Sequence, residues 1–225
     1  MSDSVNLPVS FKNTAVSFTS TQTTIARVLV DVNTAATGAY PKLFGGSTIL
    51  DLTASSTDSA ARDVVLYTGE VLTTQATTPT GSLTATSSTV VRANAGFIAD
   101  GWRPGDLLMV FAPLNAATTA ADGILCQITS MTDTTLTLVG TPLSSVTFTA
   151  GSRVVRVSPY LRATIAAVSG TNGTSTTVGL LNHQYDGSYV RNELKLGANG
   201  VLIVALQATM TAALYISIAA RYALY

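Results

Sequence analysis

The chain has 225 residues, long enough for one large β-sandwich or for two smaller units that each bury a core. Hydrophobic residues make up 47% and charged ones 11%, a composition with too much apolar surface and too little charge for a disordered chain. Lys plus Arg and Asp plus Glu balance at 12 each, so no net field draws the protein toward a polyanion, and neither nucleic acid nor an anionic membrane is an expected partner.

At the start of the chain, Val5, Leu7, Val9 and Phe11 alternate with Asn6, Pro8 and Ser10. This is the pattern of an edge strand or arm, with Pro8 placed where no ladder bond is needed. The first eight residues lack both the basic start and the apolar run of a secretory signal, so synthesis in a cytoplasm is expected. Residues 24–32 alternate again, with Thr24, Ala26, Val28, Val30 and Val32 on one face of a strand. Turn chemistry follows from Tyr40-Pro41 to Gly45-Gly46, then a strand over 48–54, a polar turn over 55–61, and a core strand over 62–67 rich in β-branched residues. Residues 73–89 are almost wholly Thr, Ser, Ala, Gln, Pro and Gly and read as a linker.

The chain is organised around residues 96–157. Pro104-Gly105-Asp106 supplies a turn before the apolar strand 107–111, and Ile124, Cys126 and Ile128 alternate with Leu125, Gln127 and Thr129. Leu136 and Leu138 share a face, and Arg153 opens another strand. Strands this short joined by tight turns can close into a small barrel, which hides their edges.

A second boundary is read at Ser158-Pro159. Beyond it come a strand or single helical turn over 163–168, a hairpin turn at Gly170-Thr171-Asn172-Gly173, strands over 176–181 and 191–196, and a loop over 182–189. Residues 201–220 carry no charge and match the roughly 20 residues that span a bilayer as a helix. Gln207, Thr209, Thr211 and Ser217 interrupt them, and Tyr215, Ser217, Ala219 and Arg221 alternate with Ile216, Ile218, Ala220 and Tyr222. Two strands, 201–206 and 214–222, forming a terminal hairpin fit better than a membrane helix.

The outer segments together offer about eight strands, the complement of a jelly roll. The expected fold is therefore all-β: a jelly-roll-like sandwich built by residues 1–80 plus 159–225, with a small β-barrel over 81–158 inserted into it.

Chemistry is scarce. His183 is the only histidine and no Gly-X-Ser-X-Gly elbow accompanies it, so a nucleophile triad has no framework. His183 and Asp186 supply neither the ligand count nor the enclosure of a metal site, and Cys126, the only cysteine, reads as a small core hydrophobe. No catalytic, metal or cofactor-binding residue is expected. Trp102, beside Arg103, is a candidate for stacking on a ligand, although a tryptophan just before a Pro-Gly turn more often plugs a barrel. Tyr185, Tyr189, Tyr215, Tyr222 and Tyr225 gather near the C-terminus and are candidate interface anchors, because tyrosine is favoured where protein surfaces meet.

Three stretches resemble tailed-bacteriophage virion proteins, in particular head decoration (cement) proteins. Residues 53–67 and Leu194-Lys195-Leu196-Gly197-Ala198-Asn199-Gly200 with the terminal strands resemble their jelly-roll framework. Gly101-Trp102-Arg103-Pro104-Gly105-Asp106 and Thr134-Thr135-Leu136-Thr137-Leu138 are similar to small β-barrel modules of phage structural chains. The resemblance implies a non-enzymatic homo-oligomer, often a trimer, seated on the major capsid protein at the virion surface and using no cofactor. Other expectations in view are a tail, neck or head-fibre subunit, and a carbohydrate-binding module for host glycans that uses Trp102 or the tyrosine loop.

Overall fold

The computed structural model describes residues 10–19, 26–32, 46–74, 83–94, 96–111, 122–144, 153–168, 176–185, 188–191, 194–208, 210–211 and 214–225. Every element whose whole range lies among them is a strand. The first four are β1 (Ser10–Thr19), β2 (Ala26–Asp31), β3 (Gly46–Ser56) and β4 (Arg62–Thr74). Then come β5 (Leu83–Thr86), β6 (Thr89–Arg92), β7 (Leu107–Phe111), β8 (Asp122–Met131), β9 (Thr135–Leu138) and β10 (Arg153–Ile165). The last six are β11 (Thr176–Gly179), β12 (Asn182–Tyr185), β13 (Ser188–Arg191), β14 (Leu194–Gly197), β15 (Gly200–Leu206) and β16 (Tyr215–Leu224). The chain divides into two compact units, one of Met1–Thr24, Val28–Thr68 and Pro159–Tyr225, the other of Ile25–Arg27 and Gly69–Ser158.

The first unit is a sandwich of two antiparallel sheets. One runs β1-β16-β3, with β11 and β14 both paired to β3 and together forming a single interrupted strand. The other runs β2-β15-β4-β10. Counting that interrupted strand once, the first strand pairs with the eighth, the second with the seventh, the third with the sixth and the fourth with the fifth. One long two-stranded ribbon folded over on itself gives this nesting, and it brings β16 against β3 and β15 against β4. That is the jelly-roll arrangement. In sequence the second unit is inserted between Thr68 within β4 and Pro159 within β10, strands that pair with each other.

The residue pattern explains the strand faces. On β16, Ile216, Ile218, Ala220 and Tyr222 are buried while Tyr215 and Arg221 are exposed, the period-2 alternation of a strand with one covered face. Gly200–Leu206 is buried at every position and reads as a central strand without polar interruptions. No helix is long and apolar enough to cross a membrane among the described residues.

The terminal hairpin expected from sequence is corrected: β15 and β16 belong to different sheets, and residues 207–214 connect one layer to the other. The expected arm over residues 5–11 lies mostly outside the described residues. Its two described residues, Ser10 and Phe11, open β1, an edge strand of ten residues paired with β16 from Ser10↔Leu224 to Thr19↔Tyr215. The expected loop over 182–189 contains the hairpin β12–β13. The turns expected at 40–46 and 170–173 lie outside the described residues, apart from Gly46, which opens β3.

Pro159 lies inside β10, and its position has a simple cause. Pairing between β10 and β7 ends at Val157↔Leu107, so at Pro159 the strand has only β4 beside it and one side needs no N–H donor.

The second unit wraps a barrel-like sheet, β10-β7-β8-β9-β6-β5, around one core. The first half of β8 pairs with β7 from Gly123 to Gln127 and its second half with β9, with an irregular register between Ile128 and Ser130 that lets the strand bend. Leu83, Val90, Phe97, Trp102, Leu108, Cys126, Leu136 and Val154 fill the interior. Gly105 has φ 93°, the left-handed conformation that its Pro104-Gly105 turn requires, and its N–H donates to the Ile128 carbonyl at 2.8 Å. Part of the expected linker is structured here: β5 and β6 form a hairpin through Ser87-Ser88, anchored inward by Leu83 and Val90.

Candidate functional site

One end of the sandwich is tied together by a single buried carboxylate. Asp58 has no exposed surface, and its Oδ2 accepts from Arg62 Nε at 2.6 Å and from the Thr211 N–H at 3.1 Å. Its Oδ1 accepts from the Ala60 N–H at 3.0 Å, its carbonyl accepts from the Val168 N–H at 2.8 Å, and Arg62 Nη2 donates to Thr211 Oγ1 at 3.0 Å. Burial opposes the charge, but the hydrogen bonds from Arg62, Thr211 and Ala60 outweigh it and hold the carboxyl well below its usual range. Ionised and engaged by donors at both oxygens, it has no proton to give and serves as a clasp between the β3–β4 turn, the segment after β10 and the connection from β15 to β16.

Beside the clasp stands an exposed aromatic on a fixed backbone. Tyr215 is 45% exposed, its carbonyl accepts from the Thr57 N–H at 3.0 Å, and its own N–H donates to Thr57 Oγ1 at 3.1 Å. Cross-strand rows continue from it over the sheet's outer face: Ser17–Ser217–Ser55, Ala15–Ala219–Thr53, then Asn13–Arg221–Asp51. Small uncharged side chains therefore cover most of this face, with an opposite-charge register pair, Arg221 and Asp51, toward one end.

A second acidic group, Asp63, accepts from Thr164 Oγ1 and from Arg162 Nη2, each at 2.6 Å, and these contacts lower its carboxyl below the ordinary range. No group of three or more His, Cys, Asp or Glu side chains that could hold a metal ion occurs among the described residues.

The tyrosines singled out in the sequence are not equivalent. Tyr215 is presented to solvent, Tyr225 is half-buried with its N–H on the Gly46 carbonyl at 3.1 Å, and Tyr222 is buried. Burial and then the negative charge of Asp31 raise the Tyr222 phenol above its ordinary pKa, so the residue belongs to the sandwich interior and not to a surface. Tyr185 and Tyr189 lie on β12 and β13, one register step apart, and their side chains fall outside the described ones, as does that of His183. Asp186 lies outside the described residues altogether.

Trp102 is 3% exposed in the barrel core, so its ring is not presented for stacking on a sugar or a base. Its Nε1–H has no hydrogen-bond partner among the described residues. Burial pushes the Cys126 thiol up to about 12, which leaves it a packing group without thiolate character.

Sequence reasoning passed over Asp58 and Arg62, because an acid and a base four apart in a polar turn look like surface decoration. It also passed over Ile98 and Val139, exposed apolar residues of the second unit.

No protein-family model and no curated protein matches the sequence. Among solved structures, a chain from "Structure of infectious bursal disease virus Gt strain" is similar at 9% identity with a TM-score of 0.14, covering 96% of this chain and 40% of that one. The chain thus spans well under half the length of that protein, and a likeness of this size bears on neither fold nor function.

Proposed function

We propose that the chain is a non-enzymatic structural protein of a tailed-bacteriophage virion, a decoration or cement protein that binds the head surface as a homo-oligomer and stabilises the shell. The observation that carries this reading is the nested eight-strand ribbon, in a chain that also carries a second, barrel-like unit inserted in sequence between β4 and β10. It matches the framework-plus-module organisation implied by the resemblance of residues 53–67, 194–200 and 101–106 to such proteins.

Surface chemistry supports it. The outer face around Ser217 and Ala219 is small and nearly uncharged, and the fixed, exposed Tyr215 is the kind of rigid aromatic that anchors protein contacts with little loss of side-chain freedom. The intended partners are other copies of the chain and the major capsid protein. A balanced charge gives no purchase for nucleic acid. Glycan binding is the weaker reading, because its main candidate, Trp102, is buried.

The test is co-sedimentation of the purified chain with phage heads that lack it. Saturable binding at a fixed number of copies per head supports the proposal. Absence of binding, or binding to tails alone, contradicts it.

A further inference from the structure

Among the described strands the sandwich has four sheet edges, and three of them are broken, short or carry proline, features that discourage pairing with another chain. The edge formed by β11 and β14 is broken by the β12–β13 hairpin between them. The edge of β10 beyond Val157 carries Pro159 and the exposed Arg162. Strand β2 is only six residues long, and two of those, Ala26 and Arg27, pair with β8.

Strand β1 has one such device, the exposed Lys12, and no break, proline or second partner strand among the described strands. It runs ten residues without proline, its register against β16 is unbroken, and Lys12 is its one charge. Among the described strands β16 is its only neighbour, and Phe11 is 58% exposed. In an antiparallel pair, alternate residues aim their N–H and C=O groups away from the neighbour, so the run from Ser10 to Val16 offers a ladder to a further strand.

We infer that this edge is an interface between two copies of the chain, formed by antiparallel pairing of β1 with β1 of a second copy across a two-fold axis. A second copy suits the edge because the strand carries a single charge. Every register except one centred on Lys12 itself sets that lysine opposite an uncharged residue, so two equal edges meet without direct charge repulsion. The pairing joins two four-stranded layers into one continuous sheet. It is isologous and closes at two copies, replacing the three-fold assembly that the resemblance implies. The inference rests on the self-association part of the proposed function and names the surface that performs it.

The test is analytical ultracentrifugation of the full chain beside an Asn13→Lys/Ala15→Lys variant, whose substitutions fall on exposed edge positions. The wild type is expected to sediment as a dimer and the folded variant as a monomer, with association weakened at least tenfold. Hydrogen exchange on the wild type supplies an arm that needs no variant: the alternate amides of residues 10–16 that point away from β16 are protected at high concentration and exchange faster on dilution. A monomeric or trimeric wild type, a folded variant that associates as the wild type does, or exchange at β1 that ignores concentration would each overturn the inference. A wild type that forms this dimer but does not bind heads keeps the interface and contradicts the virion reading alone.

Discussion

Arg62 Nε lies 2.6 Å from Oδ2 of Asp58, a carboxylate with no exposed surface, and this pair closes one end of the sandwich. The arginine is itself mostly covered, with its side chain 15% exposed, so the contact is screened far less than a surface salt bridge. Removing the arginine leaves a buried charge supported only by the neutral donors of Thr211 and Ala60. Arg62→Ala is therefore expected to destabilise the fold by roughly 3–5 kcal/mol, read as a lower denaturant midpoint at unchanged slope. A loss within a few tenths of a kcal/mol would show that water reaches Asp58.

The same clasp sets an acid limit. The folded-state pKa of Asp58 lies below its ordinary value of 3.8, so the unfolded chain takes up the proton first as pH falls. The contribution is fully present above the unfolded pKa and is lost progressively as pH drops from about 4 toward the folded value. Asp58→Asn should start less stable at neutral pH and lose less stability than the wild type between about pH 4 and pH 2. Denaturation curves at stepped pH read this directly, and parallel acid slopes for the two proteins would contradict it.

Phe111 and Gly123 face each other across β7 and β8, and a Cβ placed on Gly123 would meet Phe111 Cε1 at 2.5 Å. The ring has little room to retreat, because it is buried and the Arg153 guanidinium lies 5.4 Å from its centroid. Gly123→Ala is expected to destabilise the protein by about 1–3 kcal/mol through overpacking. The same change made on Phe111→Ala should be close to neutral, since the obstructing ring is gone. Additive losses in that double-mutant cycle would show that the two residues do not collide.

The barrel interior offers two independent reporters. Cys126 is buried with a raised thiol pKa, so a thiol reagent at pH 8 should label it only at the rate of unfolding. Trp102 is the one tryptophan, so intrinsic fluorescence follows the second unit alone. Its emission should be blue-shifted and shielded from iodide in the native state, moving to the red when that unit unfolds. Rapid labelling of Cys126 together with easy quenching of Trp102 would place both side chains in solvent.

Some of this architecture is visible in the residue pattern and some is not, for physical reasons. The alternation of Ile216, Ile218 and Ala220 against Tyr215, Ser217 and Ala219 fixes which face of β16 is covered, and the runs in β4, β7 and β9 are equally plain. Strand β1 escapes because only Phe18 among its side chains is buried, leaving little hydrophobic period to detect. The β5–β6 hairpin hides in a Thr- and Ser-rich stretch where Leu83 and Val90 alone mark the core. Partner choice is the least legible feature. Nearness in sequence suggests that β15 pairs with β16, whereas the folded ribbon sends each to a different sheet. The Asp58 clasp joins its near neighbours Ala60 and Arg62 to Val168 and Thr211, which are distant along the chain and come beside it only after the sheets pack. Exposure of Tyr215 and burial of Tyr222 follow from the strand's period, while composition alone treats all the tyrosines alike.

The proposal that this chain reinforces a virus head is tested most directly by heat. Phage heads lacking the protein are warmed with and without the purified chain, and genome release is followed with a DNA-binding dye. The account predicts release at a higher temperature once the chain has bound, with the gain saturating as its sites on the head fill. Release at the same temperature, despite bound protein at full occupancy, would contradict it.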